Sequence, residues 1–312
     1  MTPDAAPQPL PPHRLILGVS LILATAFTIS VQDVVFKVFS SEMTLWQIFA
    51  LRGCLAVPML LALGVLRGTR LATFRAAVDR WVVLRSLFIT GTFLAFYAAI
   101  PFLSLSTVGA ANYIAPIFVT LLSAYVINEP VRWLGWVGVL VGFAGVVILL
   151  QPGTDAFSPW ALLPIVGAAF YAMAHIITRT KCQDVPLAVI ALGQNMAMLL
   201  AGVVVSLIIL GVQPQSALAD AYPYIFGGWS AVGPRDWLIL AILAAFAIGL
   251  AIMLAGAYKA APPAIIATFE YSYLVFVAAW DILFFGLALS GATVTGMILI
   301  AAAGLLVVRG KA

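Results

Sequence analysis

Few side chains in this sequence could carry charge or directed hydrogen bonds inside an apolar surrounding, and they fall into two groups. Gln32 and Asp33 are followed one turn later by Lys37; Arg52 lies roughly two turns into the next apolar run, and Asn112 with Tyr113 in a later one. The second group is Gln194 with Asn195 and Glu270 with Tyr271, and Asp281 stands further along the run that holds Glu270. The chemistry open to such a set is ion pairing, hydrogen bonding and proton transfer. Bond-making chemistry has no support: the chain has no HExxH, no GxSxG, and no histidine besides His13 and His175. Cys54 and Cys182 have no partner spacing, so neither a disulfide nor a metal site is expected, and no cofactor is.

The elements that position these residues are set by composition. Apolar residues make up 64% of 312 and charged residues 8%, with a mean hydropathy of +1.15, values that place the chain in a lipid bilayer. A net charge of +4 is no nucleic-acid signal, and no nucleic-acid partner is expected. The partners implied are the bilayer and a small molecule, with the chain a monomer or a weak homodimer. Glycines 138, 142 and 145 form one small-residue face, read as close helix packing before a dimer seam.

Apolar runs of about 20 residues with short connectors can satisfy their backbone in lipid only as helices. Ten are predicted: Arg14 to Val38, Thr44 to Leu66, Trp81 to Leu103, Thr107 to Ile127 and Trp133 to Leu150, then Pro159 to Thr178, Leu187 to Gly211, Arg235 to Ala257, Pro262 to Phe285 and Ala292 to Val308. Met1 to His13 reads as a retained cytoplasmic leader, because the run after it exceeds the length of a signal-peptide core. The one long connector, Val212 to Pro234, carries Tyr222, Tyr224, Phe226 and Trp229 and suits the headgroup zone.

The text of the first half returns in the second. Setting residue i on i+158 places Asn112-Tyr113 on Glu270-Tyr271, Phe118-Val119 on Phe276-Val277 and Gly138 on Gly296. The expected fold is therefore all-α and polytopic, with residues 14–152 and 153–312 as two five-helix repeats of one membrane domain. An odd number of helices per half inverts the second half relative to the first. With both termini cytoplasmic, Arg14, Arg67, Arg70, Arg75, Arg80, Arg132, Arg179, Lys181, Lys259, Arg309 and Lys311 all lie inside, as basic loops do.

The run NEPVRWLGWVGVLVGFAGVVILLQPG from Asn128, with Glu129 after the fourth helix and the glycines of the fifth, resembles the first-repeat ending of EamA-type carriers of the drug/metabolite transporter superfamily. APPAIIATFEYSYLVFVAAW, residues 261–280, is similar to the matching ninth-helix block, and Lys37 and Arg52 fall where that family commonly has basic residues. The chain departs from the family at Gly286-Leu287-Ala288, where an acidic residue is common, and at Asp281, where a small one is usual. The resemblance implies ten helices around a central cavity and export, less often import, of small metabolites.

The expectation is thus a secondary carrier of the bacterial inner membrane. It would work by alternating access and export a small organic metabolite, an amino acid of aromatic or other neutral type first. The alternatives are another metabolite or drug, such as a nucleoside, vitamin or organic cation, moved either way, or a metabolite channel. Glu270 would pair an ammonium, Asn112 and Asn195 a carboxylate, Gln194 beside Asn195 is a further substrate-binding candidate, and Tyr97, Tyr113 and Tyr271 would pack a side chain. Structural accounts stand beside these. Asp33 and Lys37, spaced i and i+4, make a local ion pair that Arg52 could join; Asn112 and Asn195 could be interhelical glue; and Asp281 could replace Glu270 as the titrating acid. Pro116, one turn after Asn112, is the expected hinge. His175 and Arg85 sit near the inner interface, where a wetted imidazole and a guanidinium reaching out to the headgroups are expected.

Overall fold

The computed structural model describes residues 12–39, 43–66, 71–99, 115–128, 131–150, 160, 162–212, 220, 222–285 and 291–309. Asn112, Tyr113 and Glu129 lie outside the described residues, as do the side chains of Asp33, Lys37, Tyr97, Pro116 and Asp281. The boundary between the two repeats, expected at residues 152 and 153, also lies outside them.

The protein is an all-α polytopic membrane protein. Its main helices are α1 (Pro12–Phe39), α2 (Leu45–Leu66), α3 (Arg80–Ala99), α4 (Ala115–Tyr125) and α5 (Trp133–Leu150), then α6 (Leu162–Lys181), α7 (Leu187–Val212), α8 (Pro234–Ala260), α9 and α10 (Gly291–Arg309). Helix α9 is built in two arms, Pro263–Glu270 and Ser272–Phe285. Of these, α1, α2, α6, α7 and α8 are each long and apolar enough to cross a membrane, by length and composition. Most helices are apolar all round: Leu17, Leu66, Leu140, Leu207 and Ile298 are all exposed, as side chains facing lipid should be.

Helix pairings recur between the two halves. Helix α5 lies along α10, α2 along α7, and α4 against α9, so each meets its counterpart five places on. The extensive α3–α6 contact is matched by α8–α1, and α3–α7 by α8–α2. Exchanging the two halves maps these contacts onto one another, as a pseudo-two-fold axis requires.

The α2–α7 pair approaches backbone to backbone. A Cβ at Gly202 would lie 2.6 Å from the Ala50 nitrogen and 2.8 Å from the Trp46 carbonyl oxygen, so only glycine permits that spacing. Where α5 and α10 meet the middle of α9, Gly142 does the same for a ring: its Cβ would sit 2.7 Å from Tyr271. The small face of α5 thus serves packing within the chain.

Local sequence explains most helix ends. Pro263 occupies the first turn of α9 and Pro234 that of α8, where a missing N–H costs nothing. Pro58 lies inside α2, which continues through it. The one interruption within a span among the described residues falls where no proline or glycine stands, at Tyr271, a turn residue whose carbonyl accepts from Leu274 N three residues on.

Candidate functional site

Two polar clusters fill the half of the bundle where α6 and α8 end and α3, α7 and α9 begin. In the first, Glu270 closes the leading arm of α9, about 10 Å along it at 1.5 Å per residue. Tyr171 from α6 and Tyr258 from α8 each donate a phenol hydroxyl to Glu270 Oε1, both at 2.7 Å. No lysine or arginine among the described residues donates to this carboxylate. Tyr258 is fully buried, and so is His175, whose ring stacks on Tyr258 at 3.9 Å and meets Tyr171 at 4.2 Å. Both imidazole nitrogens are buried without a hydrogen-bond partner.

The second cluster centres on Arg85 of α3, which is 0% exposed. Its Nε donates to Thr178 Oγ1 of α6 at 3.2 Å and its Nη1 to Gln194 Oε1 of α7 at 2.6 Å, while Nη2 is buried and unpartnered. Thr178 passes its own hydrogen to the Ala174 carbonyl at 2.8 Å. One helix carries both clusters: Tyr171, His175 and Thr178 are spaced i, i+4 and i+7 on a single face of α6.

Two expectations are overturned. Arg85 does not reach out to the headgroups, because its head is committed inward to α6 and α7, and His175 is not wetted, because two phenol rings cover it. The i, i+4, i+7 spacing of Tyr171, His175 and Thr178 was the signal that could have revealed this wall. Tyr258, beside Lys259 at a helix end, had no such signal, since only the fold brings it to the acid.

The other expected residues are dispersed. Gln194 joins Arg85, whereas the neighbouring Asn195 donates to the Ala191 carbonyl of its own helix at 2.9 Å. Tyr271 comes after Glu270 in sequence but turns its ring away to Gly142. Arg52 donates to Met198 Sδ at 3.1 Å and lies 5.3 Å from the centroid of the Phe49 ring. Because Met198 is one turn beyond Gln194, Arg52 of α2 and Arg85 of α3 meet the same stripe of α7. Outside the bundle, an apolar groove of about 390 Å³ lies between Met59, Leu63, Leu66 and Ile248, but it has no group able to orient a polar molecule.

The model of the EamA-like transporter family matches residues 16–151. Over that segment the chain is similar to EamA-like transporters. Stretches of the chain are also similar to individual transporters. The chain is 28% identical over 163 residues to the S-adenosylmethionine uptake transporter of Rickettsia prowazekii, covering 52% of this chain and 54% of the relative. It therefore spans about half the length of the curated relatives of that kind. A protein of Helicobacter pylori described as an uncharacterized transporter is 24% identical over 276 residues, 87% of this chain and 86% of the relative. The riboflavin transporter of Vibrio cholerae is 36% identical over 74 residues, 23% of this chain and 24% of that protein. A solved structure with 19% identity superposes with a TM-score of 0.73 over 95% of this chain and 98% of its own, so the fold extends through both halves.

Proposed function

We propose that the chain is a secondary carrier that moves a small organic metabolite across a bacterial inner membrane by alternating access, with both termini cytoplasmic. The observation that carries this reading is the carboxylate of Glu270, held by two neutral phenols where the leading arm of α9 ends. An acid inside a lipid-embedded bundle costs at least a few kcal/mol and is retained for a purpose. With no fixed cation donating to it among the described residues, the purpose proposed is to meet a mobile one, a proton or the amine of a substrate.

Glu270 sits where α9 tightens into a single turn at Tyr271, whose backbone stays right-handed helical. The exchange symmetry of α1–α5 with α6–α10 supports residues 14–152 and 153–312 as the two bodies that rock about the site. Amino acids with neutral or aromatic side chains are the proposed substrates. The name of the Rickettsia relatives supports a metabolite with an amino-acid head, since S-adenosylmethionine has one. Such a carrier follows its gradients, so export of an abundant amino acid and uptake of a scarce metabolite are one cycle run in opposite senses.

Counterflow into proteoliposomes preloaded with L-phenylalanine, L-methionine, S-adenosylmethionine or riboflavin tests the proposal. Saturable exchange of at least one, abolished in Glu270→Gln, is expected. Linear, unsaturable flux would indicate a channel instead.

A further inference from the structure

We infer that Arg85 receives a carboxylate of the transported molecule, so that the proposed carrier takes a zwitterion between Arg85 and Glu270. This rests on the carrier reading and adds the anionic half of the site.

Arg85 is wholly buried, and both of its partners, Thr178 and Gln194, are neutral. Neutral dipoles orient a guanidinium but do not balance its charge, and a buried charge left without a counter-charge costs several kcal/mol. The guanidinium is a planar fork of five N–H donors whose edge fits the two oxygens of a carboxylate. Here Nε and Nη1 are used and Nη2 is unpartnered.

The surrounding wall has the same character. Ser86 Oγ and Thr90 Oγ1 on α3 are buried and unpartnered, as are both nitrogens of His175, one turn from the threonine that anchors Arg85. Buried polar side chains are nearly always partnered, so Arg85, Ser86 and Thr90 on α3 and His175 on α6 together mark a place built for a polar group from outside the chain.

The two charges are kept apart. Helix α6 holds Glu270 through Tyr171 and Arg85 through Thr178, seven residues on, which is about 10 Å of helix rise. Each charge is oriented by neutral hydrogen-bond partners and neither pairs with the other. A molecule with an ammonium or sulfonium centre and a carboxylate a few bonds away neutralises both at once. A simple cation or anion would leave one of them uncompensated.

The test compares each acid with its carboxamide in reconstituted full-length protein. Exchange of labelled L-methionine, L-phenylalanine and S-adenosylmethionine is measured, with L-methioninamide and L-phenylalaninamide as competitors. The amides are expected to compete at least roughly 30-fold more weakly than the parent acids, the scale for removing one member of a buried charge pair. In Arg85→Gln the acid and amide should compete within about threefold of each other, and Arg85→Lys, a point charge without the fork, should fall between. Wild type that exchanges a probe but does not distinguish acid from amide, or Arg85→Gln that keeps the full ratio, overturns the assignment and leaves the carrier standing. Wild type that exchanges none of the three overturns this inference, and riboflavin exchange in the same vesicles then tells whether the carrier reading falls with it. Should Arg85→Gln fail to fold, the wild-type ratio and Arg85→Lys decide.

Discussion

Tyr258 and Glu270 lie on opposite sides of the Ala261–Pro263 turn, yet the phenol of one donates to Oε1 of the other at 2.7 Å, binding the last turn of α8 to the leading arm of α9. Tyr171 donates to the same oxygen from α6. A hydrogen bond to a charged group contributes about 1.5–3 kcal/mol, and a carboxylate left with no donor suffers its full desolvation cost. Tyr171→Phe and Tyr258→Phe should each lower thermal stability modestly, and the double variant should lose more than the sum. Melting curves of the four proteins form a double-mutant cycle; strict additivity would show that the two phenols do not share the acid.

Gly202 and Gly211 stand on the same helix and should respond oppositely. A Cβ at Gly202 would meet the backbone of α2, which cannot yield, so Gly202→Ala should cost about 1–3 kcal/mol by overpacking. At Gly211 a Cβ meets nothing within 4 Å, so Gly211→Ala should be neutral or stabilising by up to about 1 kcal/mol. Thermal melts in one detergent check both, and equal effects would mean that α2 and α7 are not in backbone contact.

The connector that ends at α8 is strapped to α2. Gln47 Nε2 donates to the Ser230 carbonyl at 2.8 Å, Ser230 N donates to Gln47 Oε1 at 3.0 Å, and Trp46 Nε1 donates to the Ile225 carbonyl at 2.7 Å. Gln47→Leu keeps the volume but removes every hydrogen bond between Gln47 and Ser230, including the one that Ser230 Oγ donates to Gln47 Oε1 at 3.2 Å. Amide exchange over residues 225–232 should rise by roughly tenfold, the effect of losing about 1.4 kcal/mol of local protection. Unchanged exchange would mean that the strap does not hold the connector.

The proposed orientation has a direct readout in a Cys54→Ser background. A cysteine at exposed Gln183, between α6 and α7, should react with an impermeant maleimide only from the cytoplasm, and one at exposed Ala231 only from outside. Native Cys182 should not interfere at neutral pH. It is buried, and burial pushes its thiol up, so little thiolate is present and labelling should quicken only as pH rises. Labelling of Gln183→Cys from outside would invert the topology.

The helix boundaries were legible in the sequence because lipid leaves a backbone no other choice: a run of about 20 apolar residues must be a helix, and α5, α7 and α10 begin within one residue of their expected starts. The i+158 alignment and an odd number of expected spans per half point to one relation between the halves, and α5 packs on α10 and α2 on α7. Glu270 stood out because an acid in such a run has to be explained. What lies around it depends on how helices rotate about their own axes. Hydropathy says little about rotation in a helix that is apolar on every side. Only the tertiary structure decided that Tyr258 faces the acid and Tyr271 faces Gly142, that His175 is enclosed by phenols, and that Arg85 points inward to Gln194. Those choices are made by close approach between helices distant in sequence, where one glycine or one ring sets which face turns in.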